Sequence, residues 1–408
     1  MKYVVGVDFS ASQNACMLAE YETGRILRKK EVLRGAFYKE PNSPDDSPRP
    51  LDCYCPGLPV EDRAHAYLAG LVQGFLNDAG IKKSDVMAVG ISLAGKLFSD
   101  GRDGKDVLFM GANTPKRFGK TESGRTSINA TRTLRKEFRG IPIIGGNDCN
   151  CTGIAQSILY ETRGIGPKKT FYLTISTGIG GGGPKEDADE IGHMVIGNVH
   201  PAVSLKCGCG VQDCLEAYAS GTGISNFAKK IIWLYRMNPR KFAGYASYER
   251  EVGRLLDKNG RPFNLKEAAV KSMLAGMINE KQRKGEAFTA KDVFKAMYKK
   301  DLLAYHILNT TARMTAEVIA STAQIHDLER VGIGGGVGAN NPKYVGMIQK
   351  HVNRILIKGN KMLPKGVIVE VCPLGKAAND YGALSLAMPE KYRAQWAKTM
   401  LKATGKKR

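Results

Sequence analysis

The most informative segment of the sequence is Cys207-Gly208-Cys209-Gly210-Val211-Gln212-Asp213-Cys214-Leu215-Glu216, which follows His193 after 13 intervening residues. Three thiolates and one imidazole make a closed tetrahedral set, which is typical of structural zinc. Cys207 and Cys209 can chelate an ion from one turn, and the glycines beside them let the backbone fold around it. The alternative is three buried cysteines that are neighbours for packing alone. We predict a zinc site at His193, Cys207, Cys209 and Cys214.

Cysteine usage and hydropathy indicate a cytoplasmic protein. The chain of 408 residues has nine cysteines, and an odd number argues against a complete disulfide framework. No segment has the roughly 18 uninterrupted apolar residues of a membrane helix. The N-terminal stretch 1–8 is typical of a strand rather than a secretion signal, because an acid arrives at position 8. The length predicts roughly two to three domains, and we expect no membrane partner.

The chain is strongly basic. Lysine and arginine number 61 against 39 acidic residues, which gives a net charge of +22. Such a charge attracts polyanions such as nucleotides, polyphosphate or nucleic acid, although a general bias toward solubility explains it equally well. The basic residues are scattered, with denser groups at 281–300 and 398–408, and no nucleic-acid motif accompanies them. We therefore do not expect a nucleic-acid partner.

Three apolar strands each run into a polar or glycine turn. The turns are Asp8-Phe9-Ser10-Ala11-Ser12, Ser176-Thr177-Gly178-Ile179-Gly180-Gly181-Gly182-Gly183 and Gly334-Gly335-Gly336. Backbone N–H groups in such turns can hold phosphate oxygens, but none of the three matches a Walker or dinucleotide loop. The first turn either holds magnesium and phosphate through Asp8, Ser10 and Ser12 or is a polar hairpin turn. Its similarity to the second turn suggests two domains of related build.

Three further acids are candidates for chemistry. Asp148 follows Asn147 at the tip of a buried strand, where a carboxylate can act as a general base on a hydroxyl or can cap a helix. Glu190 lies three residues before His193, and Glu216 lies two residues after Cys214. A zinc ion would fix both glutamates as acceptors for a polyhydroxyl ligand. The alternative is that both are solvated surface acids.

Taken in order, these residues resemble the ROK family (repressors, open reading frames and kinases) of the actin-like ATPase superfamily. The matching string is Asp8–Ser12, Asn147-Asp148-x-Asn150, Thr177-Gly178-x-Gly180-Gly181-Gly182, Glu190-Ile191-Gly192-His193, Cys207-x-Cys209-Gly210-x3-Cys214-Leu215-Glu216-x3-Ser220-Gly221 and Gly334-Gly335-Gly336. The resemblance covers nearly the whole chain, and its zinc stretch is highly specific.

The resemblance implies an α/β fold of two ribonuclease-H-like (actin-like ATPase) domains, with ATP and its Mg²⁺ in the interdomain cleft. It implies that Asp148 is the catalytic base for a sugar hydroxyl. The positions that match sugar contacts are Asn113, Asn147, Glu190, His193 and Glu216. The positions that match nucleotide contacts are Ser12, Thr177, Gly178 and Gly335, and Asp8 and Ser10 lie beside the first of them. A homodimer or homotetramer is also implied.

The sequence departs from the family pattern in its first phosphate loop. The family's two glycines are replaced by Ser10 and Ala11, although Ser12 keeps a hydroxyl. We expect an N-terminal domain over 1–145, a C-terminal domain over 146–390 and a basic tail over 391–408 that can pack back on the first domain. Additions are expected at about 36–60 and 236–285.

The leading hypothesis is therefore an ATP-dependent kinase for a hexose, with glucose as the first substrate to test, or for an N-acylhexosamine. A second interpretation keeps the reaction and replaces ATP by polyphosphate, because the first loop is altered and the charge is high. A third is a sugar-sensing, non-catalytic regulator of the same family. Those proteins carry a DNA-binding domain before the first phosphate loop, for which we expect no room here.

Overall fold

The structure is a computed structural model that describes residues 1–9, 13–33, 58–110, 127–183, 190–356, 363 and 366–404. Three predicted site residues, Ser10, Ser12 and Asn113, lie outside the described residues, as does most of the addition expected at 36–60.

The described strands are β1 Tyr3–Phe9, β2 Gln13–Glu20, β3 Ile26–Leu33, β4 Val86–Leu93, β5 Lys96–Ser99, β6 Leu108–Met110, β7 Ile128–Asn129, β8 Ile143–Asn147, β9 Thr170–Ile175, β10 Ile179–Gly182, β11 Arg330–Gly334 and β12 Ile368–Val371. The described α-helices are α1 Val60–Ala79, α2 Arg132–Glu137, α3 Asp148–Glu161, α4 Glu216–Ala219, α5 Gly221–Met237, α6 Pro239–Glu251, α7 Leu265–Lys271, α8 Leu274–Arg283, α9 Ala290–Tyr298, α10 Leu302–His326, α11 Gly335–Gly338, α12 Pro342–Ile355, α13 Ala378–Leu386 and α14 Arg393–Ala403.

The chain packs as two compact units. The first comprises Met1–Tyr172, Gly182–Asp189 and Pro373–Arg408, and the second comprises Leu173–Gly181 and Glu190–Cys372. The predicted boundary between residues 145 and 146 falls inside the first unit, because α3 packs against α13 there.

A five-stranded sheet of order β3-β2-β1-β4-β8 forms the centre of the first unit. β1 pairs antiparallel with β2 and parallel with β4, and β8 is parallel to β4. β1 is buried from Val4 to Phe9 without alternation, which is typical of a strand covered on both faces. Residues of α1 join its hydrophobic core. The backbone of α13 approaches β4 closely, and a Cβ on Gly90 of β4 would lie 2.2 Å from the carbonyl oxygen of Ala383.

The end of the chain returns to this first unit. Trp396 of α14 is fully buried, and its Nε1 donates a hydrogen bond to the carbonyl oxygen of Tyr21 at 3.0 Å. Arg393 forms a two-pronged ion pair with Glu161 of α3, at 2.6 and 2.7 Å. The segment predicted as a basic tail therefore contains a helix with its own buried anchor.

The second unit contains a four-stranded sheet of order β10-β9-β11-β12, with β11 and β12 parallel. This order has the same pattern as β2-β1-β4-β8 in the first unit. In both sheets the first strand of the four lies between the second strand and the third, and the fourth strand follows the third. The expected addition at 236–285 is helical and contains α6, α7 and α8. No helix in the described ranges has the length and apolar character needed to cross a membrane.

Candidate active site and metal centre

The four predicted zinc ligands converge in the second unit. Their donor atoms all lie within 4.8 Å of one another. Cys209 Sγ is 3.6 Å from Cys214 Sγ, and Cys207 Sγ is 3.6 Å from His193 Nδ1. Zn–S bonds of about 2.3 Å at tetrahedral angles separate two sulfurs by roughly 3.8 Å, so the set fits zinc with no position left open.

The cysteine loop is held by a half-buried acid, Asp213, to which sequence reasoning gave no role. Asp213 has a left-handed backbone, with φ of 59°. Its carboxylate accepts hydrogen bonds from the Leu205 N–H at 3.1 Å, from the Ser204 hydroxyl at 2.9 Å and from the Tyr218 hydroxyl. Burial and this carboxylate raise the pKa of Tyr218, which keeps it a donor. Aspartate is one of the few non-glycine residues that are enriched in left-handed backbone, so its residue type was a weak sequence signal for this turn.

The histidine ligand connects the metal set to Glu190. His193 closes the short 3₁₀ turn Ile191–His193. While its Nδ1 faces Cys207, its Nε2 lies 3.9 Å from Glu190 Oε2. Glu190 is exposed, so this edge presents an imidazole and a carboxylate to solvent beside the metal set. A bound zinc ion would fix the ring orientation of this pair.

Glu216 joins the zinc stretch to the glycine turn after β9. Its Oε2 accepts a hydrogen bond from the Ile179 N–H at 2.8 Å. A Cβ on Gly178 would lie 2.5 Å from the same oxygen, so only glycine lets the carboxylate approach. One oxygen of this predicted sugar ligand therefore holds the turn that contains Thr177 and Gly178.

The predicted phosphate turn at residues 334–336 packs against the end of β9, next to the turn that contains Thr177 and Gly178. Gly335 has φ of +75°, and a Cβ there would lie 2.5 Å from the carbonyl oxygen of Ile175. The first residues of α5 also dock here, since the Gly221 N–H donates to Ser176 O at 2.7 Å. The structure thus brings Thr177, Gly178 and Gly335 together next to a helix N-terminus, where backbone N–H groups favour an anion.

The first unit brings together Asp8, Asn147 and Asp148 at the carboxyl ends of parallel strands. β1, β4 and β8 are consecutive in the sheet, with Asp8 paired to Ser92 and Leu93 paired to Asn147. The cap of α3 is Asn147, whose side chain accepts from the N–H groups of Cys149 and Asn150 and donates to Gly95 O at 3.0 Å. Asp148 is half-buried and occupies the first turn of the helix instead.

Asp8 is almost completely buried, with 1% of its surface exposed. Burial raises its pKa to about 8, and the charges of Asp148 and Asp380 act in the same direction. Its Oδ1 has no hydrogen-bond partner among the described residues. A buried carboxylate oxygen beside two further acids fits a divalent cation with oxygen ligands, such as Mg²⁺.

Lys29 and Asp380 are the other charged residues that act on Asp8. Lys29 Nζ lies 2.9 Å from Asp380 Oδ1, and its charge opposes the rise in the pKa of Asp8. Sequence reasoning assigned no role to either residue, because 351 positions separate them and only the packing of α13 on the sheet brings them together.

Solved structures and a family model identify the fold and the family of this chain. The chain has the fold of the actin-like ATPases. Its structure matches the ROK family glucokinase of Streptomyces griseus, solved with glucose and AMPPNP, with a TM-score of 0.53 at 22% identity, over 95% of this chain and 99% of that one. The predicted fold class is confirmed. Residues 61–390 match the ROK family, and the chain belongs to that family.

Curated relatives are similar over shorter stretches. The glucokinase of Halalkalibacterium halodurans is 26% identical over 225 residues, which are 53% of this chain and 55% of that protein. The glucokinase of Aeropyrum pernix is 25% identical over 295 residues, which are 70% of this chain and 76% of that protein. The match to the first of them thus spans about half of its length.

Proposed function

We propose that this protein is an ATP-dependent sugar kinase that transfers the γ-phosphoryl group of ATP to a hydroxyl of a hexose or of an N-acylhexosamine. The hydrogen bond from the Ile179 N–H to Glu216 carries the proposal, because it joins a predicted sugar ligand to the predicted phosphate turn. Glucose is the first substrate to test, since the curated relatives above are named glucokinases.

Asp148 is the proposed general base. It takes the proton of the attacking sugar hydroxyl as the new O–P bond forms and the bond to the leaving ADP oxygen breaks. Asn147 supports this role by capping α3, so the neighbouring carboxylate is not needed as the cap. Position and charge stabilisation then supply most of the remaining acceleration.

Glu190, His193 and Glu216 are the proposed sugar ligands of the second unit, and Asn113 and Asn147 are further proposed contacts. Both polar atoms of the Asn147 side chain already bond to backbone groups, so we expect it to act mainly by positioning α3. Zinc, held by His193 and the three cysteines, is proposed to be structural.

Thr177, Gly178 and Gly335 are the proposed phosphate ligands, together with Ser10 and Ser12. Asp8 is proposed to hold the Mg²⁺ that accompanies ATP. When bound, that ion neutralises phosphate charge. The supporting observation is that Asp8 Oδ1 has no hydrogen-bond partner in the part of the chain that the structure describes.

Replacement of the base tests the assignment. Asp148→Asn should lower kcat by about 10²–10⁴-fold or more, while sugar binding survives because the side chain keeps its shape. The matched control is Asp85→Asn, which removes a half-exposed carboxylate of the same unit and should keep full activity. Sugar-dependent ADP release and sugar affinity by calorimetry measure both. Near-normal turnover in Asp148→Asn would contradict the assignment.

A polyphosphate donor is the second candidate. It is favoured by the replacement of the two loop glycines with Ser10 and Ala11 and by the net charge of +22. Assays with ATP and with polyphosphate as separate donors distinguish the two. The homodimer or homotetramer remains a prediction that light scattering would test.

A further inference from the structure

A large cavity in the second unit contains none of the residues proposed above for zinc, sugar or phosphate. Its volume is about 880 Å³, at the upper end of the roughly 300–1,000 Å³ of small-molecule sites. It lies among the loop after α6, the end of α9, the first half of α10 and the outer face of α12. Its dimensions suit a ligand larger than a simple ion.

Cations outnumber acids among the charged residues of the cavity lining. Among the described residues, seven lysines and arginines contribute to the lining, against three acids. All three acids are engaged by the protein itself. Asp257 accepts from the N–H groups of Asn259 and Arg261, both at 2.8 Å. Asp301 caps α10 and accepts from Ser272, and Glu317 pairs with Arg313.

Several of the cations are not neutralised in this way. Lys258, Lys300, Lys350 and Arg354 have no carboxylate within ion-pair distance in the described parts of the chain, and all four are exposed. A further donor, Arg313 Nε, is buried there without a hydrogen-bond partner among the described residues. A concave surface with uncompensated charge of one sign concentrates the field and attracts a counter-ion.

Lys300 adds an independent observation. It follows α9 with φ of 66°, in the left-handed region where glycine or asparagine usually ends a helix. A lysine is a less favourable choice at such a position than glycine. The backbone thus accepts strain at the point where a lysine side chain borders the cavity, which is typical of ligand sites.

His351 on α12 reports the same positive field. Burial, together with the charges of Arg354 and Arg313, lowers its pKa to about 4. Its imidazole is therefore neutral at physiological pH. Apolar and aromatic groups, among them Tyr305, Leu302 and Met347, complete the lining.

We propose that this cavity binds a phosphorylated small molecule, with its phosphates on Lys258, Lys300, Lys350 and Arg354 and its organic part against Tyr305 and Met347. A nucleotide and a sugar phosphate share this chemistry. The site contains none of the residues assigned to the kinase reaction. Ligand binding at this site can therefore be tested independently of that reaction. If the proposal is correct, each chain has a second class of ligand-binding site in addition to the site of the kinase reaction.

Charge reversal is the first test. ATP, a hexose 6-phosphate and inorganic tripolyphosphate are titrated by calorimetry into the full chain at about 0.15 M salt, where long-range attraction is screened. Lys350→Glu with Arg354→Glu should weaken the second class of site by about tenfold or more, because charged hydrogen bonds are lost. Lys229→Glu with Lys291→Glu makes the same charge change on exposed helix positions outside the cavity and should leave it within about twofold.

A neutral variant separates volume from charge. Gly346 of α12 lines the cavity, and a Cβ there meets nothing within 4 Å, so Gly346→Trp fills the cavity without disturbing the helix. Gly276→Trp, on α8 and also in open space, is its control. Gly346→Trp should abolish the second class of site, with circular dichroism unchanged, and Gly276→Trp should not.

The ligand that binds most tightly identifies the source of the phosphate. The proposal would be overturned if none of the three ligands showed a second class of site on the wild-type chain. Equal binding by Gly346→Trp and Gly276→Trp would also overturn it. An inactive enzyme with an intact second site would instead contradict only the proposed kinase function, and an active kinase without that site would contradict only this inference.

Discussion

Gly335 and its neighbour Gly336 differ sharply in what they tolerate. A Cβ on Gly335 would lie 2.5 Å from Ile175 O at a φ of +75°, whereas one on Gly336 meets nothing within 4 Å. Gly335→Ala should lower the free energy of unfolding by about 1–3 kcal/mol and raise the KM for ATP. Gly336→Ala should stay within about 0.5 kcal/mol of wild type. Urea unfolding measures both, and equal effects would contradict the role of the turn.

His306 predicts a pH dependence of stability. It is buried in the second unit with Nε2 2.8 Å from the Tyr245 hydroxyl. Burial, assisted by Arg313 and Arg254, lowers its pKa to about 3. In the unfolded chain the pKa is about 6.5, so below that pH the unfolded state binds a proton that the folded state excludes. The free energy of unfolding therefore falls from about pH 6.5 toward pH 3, by up to about 1.4 kcal/mol per pH unit.

Replacement of this histidine should flatten that dependence. His306→Gln removes the titrating group, so its stability should change less than that of the wild type between about pH 7 and pH 5. His326→Gln, at an exposed helix end, is the control and should follow the wild type. Chemical unfolding at the two pH values gives the free energies of unfolding. If the free energy of His306→Gln changed with pH as much as that of the wild type, His306 would not be the cause of the pH dependence.

At the scale of elements, the last helix should contribute strongly to stability. Trp396 of α14 is fully buried and hydrogen-bonded to Tyr21 O. Trp396→Ala should cost about 3–5 kcal/mol, since it leaves a large cavity. Lys398→Ala on the exposed face of the same helix should cost less than about 0.5 kcal/mol. Guanidinium unfolding gives both values, and a small cost for Trp396→Ala would show that the helix is dispensable.

The cysteine loop is the second element with a clear expectation. Cys209→Ser removes one of four converging ligands, so the purified protein should lose most of its zinc and bind sugar more weakly. Cys16→Ala changes a buried cysteine of β2 that is no ligand and should keep the metal. Elemental analysis measures zinc per chain. A stable, fully active Cys209→Ser protein without zinc would refute a structural metal.

For the whole molecule, local features were predictable and long-range ones were not. The convergence of three cysteines and a histidine follows from spacing within one loop and one preceding histidine, and the glycine turns directly follow apolar strands. The cluster of Asp8, Lys29 and Asp380 depends on packing between segments hundreds of positions apart. The return of Trp396 to Tyr21 is equally distant in sequence, and nothing in the local pattern of either segment indicates it.

The assignment of the cap illustrates the same limit within two residues. Sequence alone left Asp148 as either a base or a helix cap, because both neighbours can accept the terminal N–H groups. The structure gives the cap to Asn147, through hydrogen bonds to Cys149 and Asn150. Backbone geometry at the end of β8 decides between two side chains of similar chemistry.

We propose that this member of the ROK family phosphorylates a sugar. The most direct measurement is ADP release by the purified wild-type protein over a panel of hexoses and N-acylhexosamines, with ATP and Mg²⁺. We predict ADP release that depends on at least one sugar and rises in step with the phosphorylated product. Failure of every sugar in the panel to increase ADP release above the sugar-free rate would contradict it.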